Sequence, residues 1–494
     1  MTVSVMTEIS IAGVPVSPDH FIGNRRISSA RTFEVRSPID GSVLGHFPAG
    51  GKEEVDRAVE AAHHAFSHWA ALGPKKRGVY LGRLAELIEQ NIEKLALVET
   101  TNNGSLLEAG RLRVMKRSAH NIRFFAQMAE RLKGAEWETD SANARNRVLY
   151  DPAGMTALIT PWNAPLMLAT WKVGPALAAG NTVVLKPAEW TPATASLLAD
   201  LVLEADFPAG VLNVVQGIGE EAGAALVAHP RVKRISFTGS TDTARIIAAA
   251  AAKNLTPVSF ELGGKSPLIV FADADLDLAV QTALGQYDNA GQVCLAGTRL
   301  LVEASVYQEF LKRMQAGVTQ IRLGDPRDPQ TQVGPLITQQ HLERVHGFVE
   351  RAIKERARLV YGGRVSPSLG GLYYEPTLFS DVPENAEILR KEVFGPVLTI
   401  QPFRDEVEAI RLANNTEYGL AATLFTQDGK KASRVAESLV AGTVWINCFF
   451  VRDLAAPFGG AKQSGVGREG GHWSFDFYCD VKNVVHRKGT FAPE

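Results

Sequence analysis

The chain has 494 residues, of which 45% are apolar and 21% are charged, as in ordinary globular proteins. This length exceeds what one hydrophobic core supports, so two or three domains are expected. The 52 basic and 53 acidic residues nearly cancel, and a formal net charge of −1 provides no basic field that would attract nucleic acid.

Cysteine content and hydropathy indicate the type of compartment. Three cysteines cannot form a disulfide framework, and their scarcity is typical of a reducing compartment. The first ten residues, MTVSVMTEIS, lack both the basic start and the continuous apolar core of a signal peptide. No apolar run reaches the roughly 18 residues that a membrane span needs. We therefore expect a cytoplasmic protein that binds neither membrane nor nucleic acid.

The N-terminal part is predicted to be helical. In residues 53–70, apolar side chains recur on one helical stripe. A second helix follows, with an inner face that runs from Leu81 to Leu95. His64 and His68 lie one turn apart on the polar side of the first helix, which is a spacing of metal ligands, but no third ligand accompanies them. We interpret the two histidines as solvated and expect no metal site.

From residue 155 onward, short apolar strands alternate with helices. The strands of four successive strand–helix pairs are MTALIT, NTVVLK, VLNVVQ and VKRISF. This alternation predicts βαβ units and a parallel sheet. Parallel sheets bind ligands at the carboxyl ends of their strands, so the loops that follow these strands are candidate sites.

A second alternating block begins at PLIVFA, residues 267–272, and ends near GTVWIN, residues 442–447. It predicts a second α/β domain. Residues 133–150 and the last twenty residues fit neither block. Alternation in NRVLY and DVKNVVH suggests that these segments form strands and pair as a projecting arm.

The loops after the first two strands carry side chains suited to binding or chemistry. TPWNAP presents Trp162 and Asn163 between two prolines, and spacing alone favours Asn163 as a turn residue that satisfies its own backbone. LKPAEW presents Lys186 and Glu189, for which a solvated ion pair is as good an interpretation as a binding site.

Two further loops leave similar alternatives open. FTGST opens a helix after the fourth strand, and its Gly239 and Ser240 suit either an ordinary N-cap or a phosphate held at a helix N-terminus. FELGGKSP places Glu261 between apolar residues and a glycine pair. A carboxylate there is costly to desolvate unless it is paired or acts in catalysis, so a buried ion pair and a general base are equally good interpretations.

The turn GQVCLAG, residues 291–297, places one of the three cysteines between glycines. A structural cysteine usually packs as a small hydrophobe in a regular element. Glycine on both sides instead indicates backbone that bends sharply or lets a ligand approach closely. Cys294 is therefore a candidate reactive thiol, although the turn alone also permits a structural role.

Seven motifs follow one another along the chain: TPWNAP, LKPAEW, FTGST, FELGGKSP, GQVCLAG, KEVFGPV and PFGGAKQSGVGRE. In this order they closely resemble the motifs of the aldehyde dehydrogenase superfamily, over about residues 20–485. The resemblance implies an α/β fold with two doubly wound parallel α/β domains and a β-strand oligomerisation arm. The implied segments are residues 1–132 and 151–262 for the dinucleotide-binding domain, 263–470 for the catalytic domain, and 133–150 and 471–494 for the arm.

The resemblance also implies roles for individual residues. Cys294 matches the family nucleophile, and Glu261 matches its general base. Asn163 matches the side chain that holds the oxyanion together with the Cys294 backbone N–H. Lys172 matches a lysine near the site to which no single role is assigned.

A further set of residues matches positions that contact the dinucleotide cofactor. Lys186 and Glu189 match contacts of the adenosine ribose, and Gly239 and Ser240 match the pyrophosphate turn. Glu392 matches the contact of the nicotinamide ribose. Two aromatic residues, Phe394 and Trp162, match positions that surround the cofactor.

The implied activity is NAD-dependent oxidation of an aldehyde to its carboxylic acid. The Cys294 thiolate attacks the aldehyde carbon, hydride leaves the thiohemiacetal, and water activated by Glu261 releases the acid from the thioester. A relative that passes the thioester to coenzyme A would commonly lack the glutamate found here as Glu261. A purely structural or binding use of the fold is disfavoured because Cys294, Asn163 and Glu261 are all present.

The segment from Val451 to Gly471 looks most like the hydroxymuconic and aminomuconic semialdehyde dehydrogenase branch. Substrates of that branch carry a carboxylate remote from the aldehyde, and Arg452 and, more weakly, Arg117 are candidate contacts for it. A surface or interdomain role explains Arg452 equally well. Betaine-aldehyde and aromatic-aldehyde dehydrogenases are alternatives, because the shared motifs do not define the substrate tunnel.

The Glu189 carboxylate favours NAD over NADP, and a homodimer or homotetramer is expected.

Overall fold

The computed structural model describes residues 8–489. Residues 1–7 of the expected dinucleotide-binding domain and residues 490–494 of the expected arm lie outside the described residues. Strands and helices alternate through most of the described chain, in agreement with the alternation predicted from residue 155 onward.

The strands are numbered in chain order. They are β1 (Ile9–Ile11), β2 (Val14–Val16), β3 (His20–Ile22), β4 (Arg25–Ile27), β5 (Thr32–Arg36), β6 (Val43–Pro48), β7 (Glu136–Thr139), β8 (Ala144–Pro152), β9 (Met155–Ile159), β10 (Thr182–Lys186), β11 (Leu212–Val214), β12 (Arg234–Thr238), β13 (Val258–Glu261), β14 (Pro267–Val270), β15 (Arg299–Glu303), β16 (Arg358–Tyr361), β17 (Thr377–Ser380), β18 (Val397–Phe403), β19 (Tyr418–Gly419), β20 (Ala421–Phe425), β21 (Thr443–Ile446), β22 (Ala461–Lys462), β23 (Gly465–Val466) and β24 (Cys479–Arg487).

The α-helices are numbered in the same way. They are α1 (Lys52–Ala71), α2 (Gly73–Gln90), α3 (Ile92–Asn103), α4 (Leu107–Ala109), α5 (Met115–Arg131), α6 (Pro165–Ala179), α7 (Ala193–Glu204), α8 (Ala224–Ala228), α9 (Thr241–Ala252), α10 (Leu276–Leu284), α11 (Tyr307–Val318), α12 (Gln339–Lys354), α13 (Glu387–Arg390), α14 (Glu406–Asn414), α15 (Gly429–Ser438) and α16 (Gly471–Tyr478).

The first sheet has eight strands in the order β23-β13-β12-β9-β10-β11-β3-β4. The five from β13 to β11 run parallel, and β23, β3 and β4 each pair antiparallel with the strand on their inner side. Successive residues of β10 point to opposite faces. Val183 and Leu185 pack in the core formed with α6 and α7, whereas Val184 packs with α1, α8 and α9. The sheet is therefore covered by helices on both faces, which explains its continuous apolar strands.

The second sheet has seven strands in the order β16-β17-β18-β15-β14-β20-β21, all parallel except β16. Leu268 and Val270 of β14 pack in the core formed with α10, α11 and α12, and Ile269 packs with α14 and α15. The prediction of an α/β fold built on doubly wound parallel sheets is confirmed by these two sheets.

A separate three-stranded antiparallel sheet has the order β24-β8-β7. The pairing runs from Cys479 opposite Pro152 to Arg487 opposite Ala144, so the two segments predicted to pair do so. Residues 471–478 of the expected arm form α16, which packs against α6, and the strand of this sheet begins only after that helix.

The second predicted helix is divided in two. α2 ends at Gln90, and Leu95 lies on α3, because Asn91 leaves the helical conformation with φ −107° and ψ 16°. Leu95 is still buried in the core that α2 helps to form, which is why its apolar periodicity continues across the break. No helix within residues 8–489 is long and apolar enough to cross a membrane.

Candidate active site

Loops next to strands of both sheets, together with residues of several helices, line a cavity of about 750 Å³. Asn163, in the loop after β9, and Glu261, at the end of β13, come from the first sheet. Cys294, in the turn before β15, and Arg452, in the segment after β21, come from the second. The structure thus brings together four candidate residues that lie in four separate stretches of the sequence.

Asn163 joins its own loop to the turn that carries Cys294. Its Nδ2 donates a hydrogen bond to the Gln292 carbonyl at 2.9 Å, and its carbonyl accepts one from Asn289 Nδ2 at 3.2 Å. Spacing alone favoured a turn residue that bonds its own backbone. Asn163 instead bonds the backbone of the Cys294 turn. An amide nitrogen has two N–H groups, so a second donor remains beside the Cys294 turn.

The turn before Cys294 has an uncommon backbone conformation. Asn289, Ala290 and Gly291 are all left-handed, with φ of 51°, 55° and 69°, a conformation that few non-glycine residues adopt. Contacts from outside the turn maintain it, because the Gln292 Oε1 accepts a hydrogen bond from the Ile337 N–H at 3.0 Å. Backbone strain of this kind concentrates at functional sites.

The surroundings of Cys294 disfavour its thiolate form. Burial, together with the carboxylates of Glu392 and Glu261, raises the pKa of Cys294 to about 12, and Arg452 opposes this shift. A thiolate therefore requires local stabilisation of its charge. The backbone carbonyl of Cys294 lies close to Gly264. A Cβ added to Gly264 would come within 2.7 Å of the Cys294 oxygen.

Glu261 is buried, and neither of its carboxylate oxygens has a hydrogen-bond partner among residues 8–489. Burial raises the pKa of Glu261 well above its usual value, and the charge of Glu469 acts in the same direction. Lys172 and Arg452 oppose this shift. In the described part of the chain Glu261 forms no ion pair. Of the two interpretations of this carboxylate, a buried ion pair and a general base, the geometry therefore favours the general base.

Lys172 does not line the cavity, although its charge acts on Glu261. Its Nζ donates hydrogen bonds to Glu469 Oε1 and Ser236 Oγ, each at 2.8 Å, and Trp171 Nε1 also donates to Glu469. This buried ion pair was not foreseen from the sequence, where Glu469 is only the last residue of a glycine-rich motif.

Arg452 lies in the cavity wall between two aromatic rings. Its guanidinium carbon lies 3.6 Å from the ring centre of Phe458 and 5.0 Å from that of Trp171. Its Nη2 is buried and has no hydrogen-bond partner in the described chain. Burial lowers the pKa of Arg452 to about 10, and the charge of nearby Arg117 acts in the same direction. Arg117 lines the same cavity, and its Nε donates to Asn121 Oδ1 at 3.0 Å.

The candidate adenosine contacts follow β10. Lys186 is buried, and its Nζ lies 3.6 Å from Glu189 Oε2, while 31% of the Glu189 side chain is exposed. Burial lowers the pKa of Lys186, and the Glu189 charge opposes that shift. After β12, Gly239 donates its N–H to the Glu261 carbonyl at 3.1 Å, and Ser240 caps α9 by accepting from the Thr243 N–H at 3.1 Å.

The candidate nicotinamide contacts lie near the Cys294 turn. Glu392 Oε1 accepts a hydrogen bond from the Gly264 N–H at 3.0 Å, and burial raises the pKa of Glu392 to about 7. Phe394 is left-handed, with φ 58°, and its ring packs edge-on against Trp162 at 5.3 Å between centroids. His341 Nε2 donates to the Phe394 carbonyl at 2.7 Å.

Sequence reasoning missed several residues that hold this site. Gln292 and Asn289 belong to the Cys294 turn, and His341 supports Phe394 from α12, but none of them directly follows a strand. Glu99 lines the cavity from α3. A signal for Glu99 existed, since the run of residues 99–103 (ETTNN) places polar side chains at the end of an otherwise apolar helix.

The chain was compared with known families, curated proteins and solved structures. Residues 26–484 match the model of the aldehyde dehydrogenase family. The chain is 43% identical over 477 residues to 2-hydroxymuconic semialdehyde dehydrogenase of Pseudomonas sp. (strain CF600), covering 94% of this chain and 98% of that protein. It is 42% identical over 474 residues to 2-aminomuconic semialdehyde dehydrogenase of Danio rerio, covering 94% and 97%.

A solved betaine aldehyde dehydrogenase from Staphylococcus aureus, in complex with NAD+, is similar to the fold with a TM-score of 0.93. It shares 37% identity and covers 97% of this chain and 96% of that one. The predicted resemblance, the fold and the interpretation of an enzyme that oxidises aldehydes are confirmed. The chain belongs to the aldehyde dehydrogenase family.

Proposed function

We propose that the protein oxidises a semialdehyde that carries a carboxylate remote from its aldehyde group, with NAD as the cofactor. Arg452 carries this proposal, because its guanidinium lines the same cavity as Cys294 and its buried Nη2 has no partner in the described chain. A buried cationic donor without a partner is costly. A carboxylate would satisfy it through paired hydrogen bonds. Two similar proteins named for muconic semialdehydes support the same class.

In the proposed mechanism, the Cys294 thiol loses its proton to solvent, and the resulting thiolate attacks the aldehyde carbon and forms a thiohemiacetal. The free N–H of Asn163 and the Cys294 backbone N–H stabilise the charge that develops on oxygen. Loss of hydride leaves a thioester on Cys294. Glu261, which has no hydrogen-bond partner among residues 8–489 and a raised pKa, then takes a proton from water as that water attacks the thioester, and the acid is released from the Cys294 thiolate.

The residues proposed to hold NAD fit its functional groups. The partly exposed Glu189 carboxylate accepts hydrogen bonds from ribose hydroxyls, and Lys186 lies beside it. Gly239 and Ser240 lead into α9, whose first N–H groups suit a pyrophosphate. Glu392, which bonds the Gly264 N–H near the Cys294 turn, is proposed to contact the second ribose. Bound NAD supplies the acceptor for the hydride, so that aldehyde, NAD and water give acid, NADH and a proton.

Phe394 and Trp162 are proposed to pack beside the nicotinamide end of the cofactor. Their rings contact each other edge-on, and Phe394 is fixed by the hydrogen bond from His341. This arrangement gives an apolar wall that excludes water from the region around Cys294.

Two alternative activities fit the cavity less well. A betaine aldehyde carries a quaternary ammonium group, which the charges of Arg452 and Arg117 in the cavity wall would repel. Transfer of the thioester to coenzyme A is disfavoured because Glu261 is present to activate water. Oxidation of an aromatic aldehyde is a third alternative, and kcat/KM of the wild-type enzyme with such an aldehyde tests it.

The test compares an acidic semialdehyde with a neutral aldehyde of similar length. Arg452→Ala is expected to lower kcat/KM for the acidic substrate about 10- to 100-fold more than for the neutral one, the value of a charged hydrogen bond. The ratio of the two constants is the measured quantity, because the charge of Arg452 also acts on Cys294 and does so for both substrates. Arg452→Lys, which keeps the charge but not the planar fork, should give an intermediate ratio.

Equal losses on both substrates would show that Arg452 is structural, and the proposed substrate class would then be wrong. A wild-type enzyme with a higher kcat/KM for an aromatic aldehyde would support that alternative instead.

We also infer that the protein assembles as a homodimer or homotetramer through the β24-β8-β7 sheet. β24 is an edge strand, and its Val481 and Val485 are 51% and 58% exposed. An exposed apolar edge strand offers unpaired backbone groups to which another chain can pair. The cytoplasmic location stays a prediction, supported by the scarcity of cysteine.

A further inference from the structure

Helix α3 ends in a run of buried polar residues. Residues 99–103 are a glutamate, two threonines and two asparagines, and each of them is at most 7% exposed. Polar side chains in the interior need partners, because an unsatisfied buried group is costly. The mechanism proposed above uses none of these residues, so their contacts indicate what else they do.

Glu99 contacts the first turns of two helices with one oxygen. Its Oε2 accepts a hydrogen bond from the Leu166 N–H of α6 at 3.0 Å and another from Thr194 Oγ1 of α7 at 3.2 Å. α6 begins with Pro165, which has no N–H, so the Leu166 N–H is the first free donor of the helix. A carboxylate at this point satisfies that donor and interacts favourably with the helix dipole.

Asn102, almost one turn further along α3, holds the neighbouring loop in the same way. Its Nδ2 donates to the Trp190 carbonyl at 2.9 Å, and its Oδ1 accepts from the Ala193 N–H at 3.3 Å. α3 therefore fixes both the loop that carries Asn163 and the loop that carries Lys186 and Glu189.

The link from Glu99 to Asn163 is short. Only Ala164 and Pro165 separate Asn163 from Leu166, and proline fixes its own φ. A shift of the Leu166 N–H therefore moves the Asn163 side chain, which already bonds the Cys294 turn. Glu99 itself borders the cavity, so the whole connection lies beside the site.

We propose that Glu99 is a positioning residue for aldehyde oxidation, which holds the first turn of α6 and thereby directs the Asn163 amide toward the developing oxyanion. This inference rests on the role proposed for Asn163. The feature that matters is the reach of the Glu99 oxygen to the Leu166 N–H rather than its charge.

Two variants separate reach from charge. Glu99→Gln keeps the length and an acceptor oxygen but removes the charge, and kcat should fall roughly fivefold or less, the scale of a helix-dipole interaction. Glu99→Asp keeps the charge but is one methylene shorter, and kcat should fall about 10- to 100-fold, the scale of a misplaced reacting group. KM for NAD should change little in both variants.

Two additional readouts exclude a general loss of structure. Alkylation of Cys294 by iodoacetamide needs no oxyanion donor, so its rate should stay near the wild-type value in Glu99→Asp. Asn163→Ala should lower kcat by about 100- to 1000-fold, and adding Glu99→Asp to it should cause no further loss, because both changes remove the same interaction.

The inference is overturned if Glu99→Gln loses as much activity as Glu99→Asp, if the losses in the double variant add, or if alkylation slows in parallel with kcat. An impaired Asn163→Ala together with an unimpaired Glu99→Asp would refute the Glu99 inference alone. A wild-type kcat in Asn163→Ala would refute the role of Asn163 and the inference with it.

Discussion

A carboxylate in the interior without a hydrogen-bond partner, as Glu261 is within residues 8–489, is unstable in its charged form. Burial and the charge of Glu469 raise its pKa, and the cations Lys172 and Arg452 limit that rise. The charged form of Glu261 is the one that accepts a proton from water. Because its pKa is raised, the fraction of this form, and with it the hydrolysis rate, should increase as pH rises through that pKa.

Glu261→Gln should separate the two halves of the reaction. Hydride transfer continues, but thioester hydrolysis is slowed because glutamine cannot accept the proton, so a single burst of NADH precedes accumulation of an acyl-enzyme. Mass spectrometry of the intact protein should show the adduct, and the pH dependence of hydrolysis should disappear. Cys294→Ala serves as the control and should show neither burst nor adduct. An unmodified Glu261→Gln enzyme with normal turnover would contradict the assignment.

At the scale of single elements, the loop between β10 and α7 determines the proposed cofactor preference. The Glu189 carboxylate would repel a 2′-phosphate. The positive charge of Lys186, whose Nζ lies 3.6 Å from Glu189 Oε2, reduces that repulsion. We expect kcat/KM to be higher with NAD than with NADP. Glu189→Gln should lower the NAD-to-NADP ratio by about tenfold, whereas Glu189→Asp should keep most of it. Equal or better kcat/KM of the wild-type enzyme with NADP would refute the prediction.

The elements themselves were largely predictable from the sequence. β9 and β10 lie where apolar runs predicted strands, because both strands are buried on both faces and need continuous apolar residues. The break at Asn91 was not predictable from periodicity, since the apolar stripe continues through Leu95. Local turn propensity also misjudged Asn163, because its contact with Gln292 joins residues 129 positions apart.

Pairs that are distant in sequence explain what was missed in the site. Lys172 and Glu469 are 297 positions apart, and no local pattern indicates that their charges meet. The placement of Arg452 likewise depends on packing against Trp171 and Phe458. For Arg452 the sequence supported a surface or interdomain role as well as a substrate contact, and only the fold shows that the side chain lies in the cavity wall.

At the scale of the whole molecule, the edge of β24 is the surface through which we expect assembly. Replacing both Val481 and Val485 with lysine should weaken self-association at least about tenfold, because charged residues on an edge strand oppose pairing. Analytical ultracentrifugation over a concentration series measures this change. Val407→Lys, at a 77% exposed valine on α14, is the matched control and should leave assembly unchanged. A monomeric wild-type protein, or unchanged assembly of the double variant, would contradict the proposal.

The left-handed turn of residues 289–291 has a consequence for the order in which the chain folds. The turn is held by Asn163 from the first sheet and by Ile337 from the second, so neither sheet alone can maintain it. Asn163 and Asn289 are 126 positions apart, and because closing so long a loop costs conformational entropy, we expect this contact to form late in folding. A partly folded chain therefore lacks the Asn163 amide beside Cys294, and we expect stabilisation of the oxyanion to arise only when these long-range contacts form.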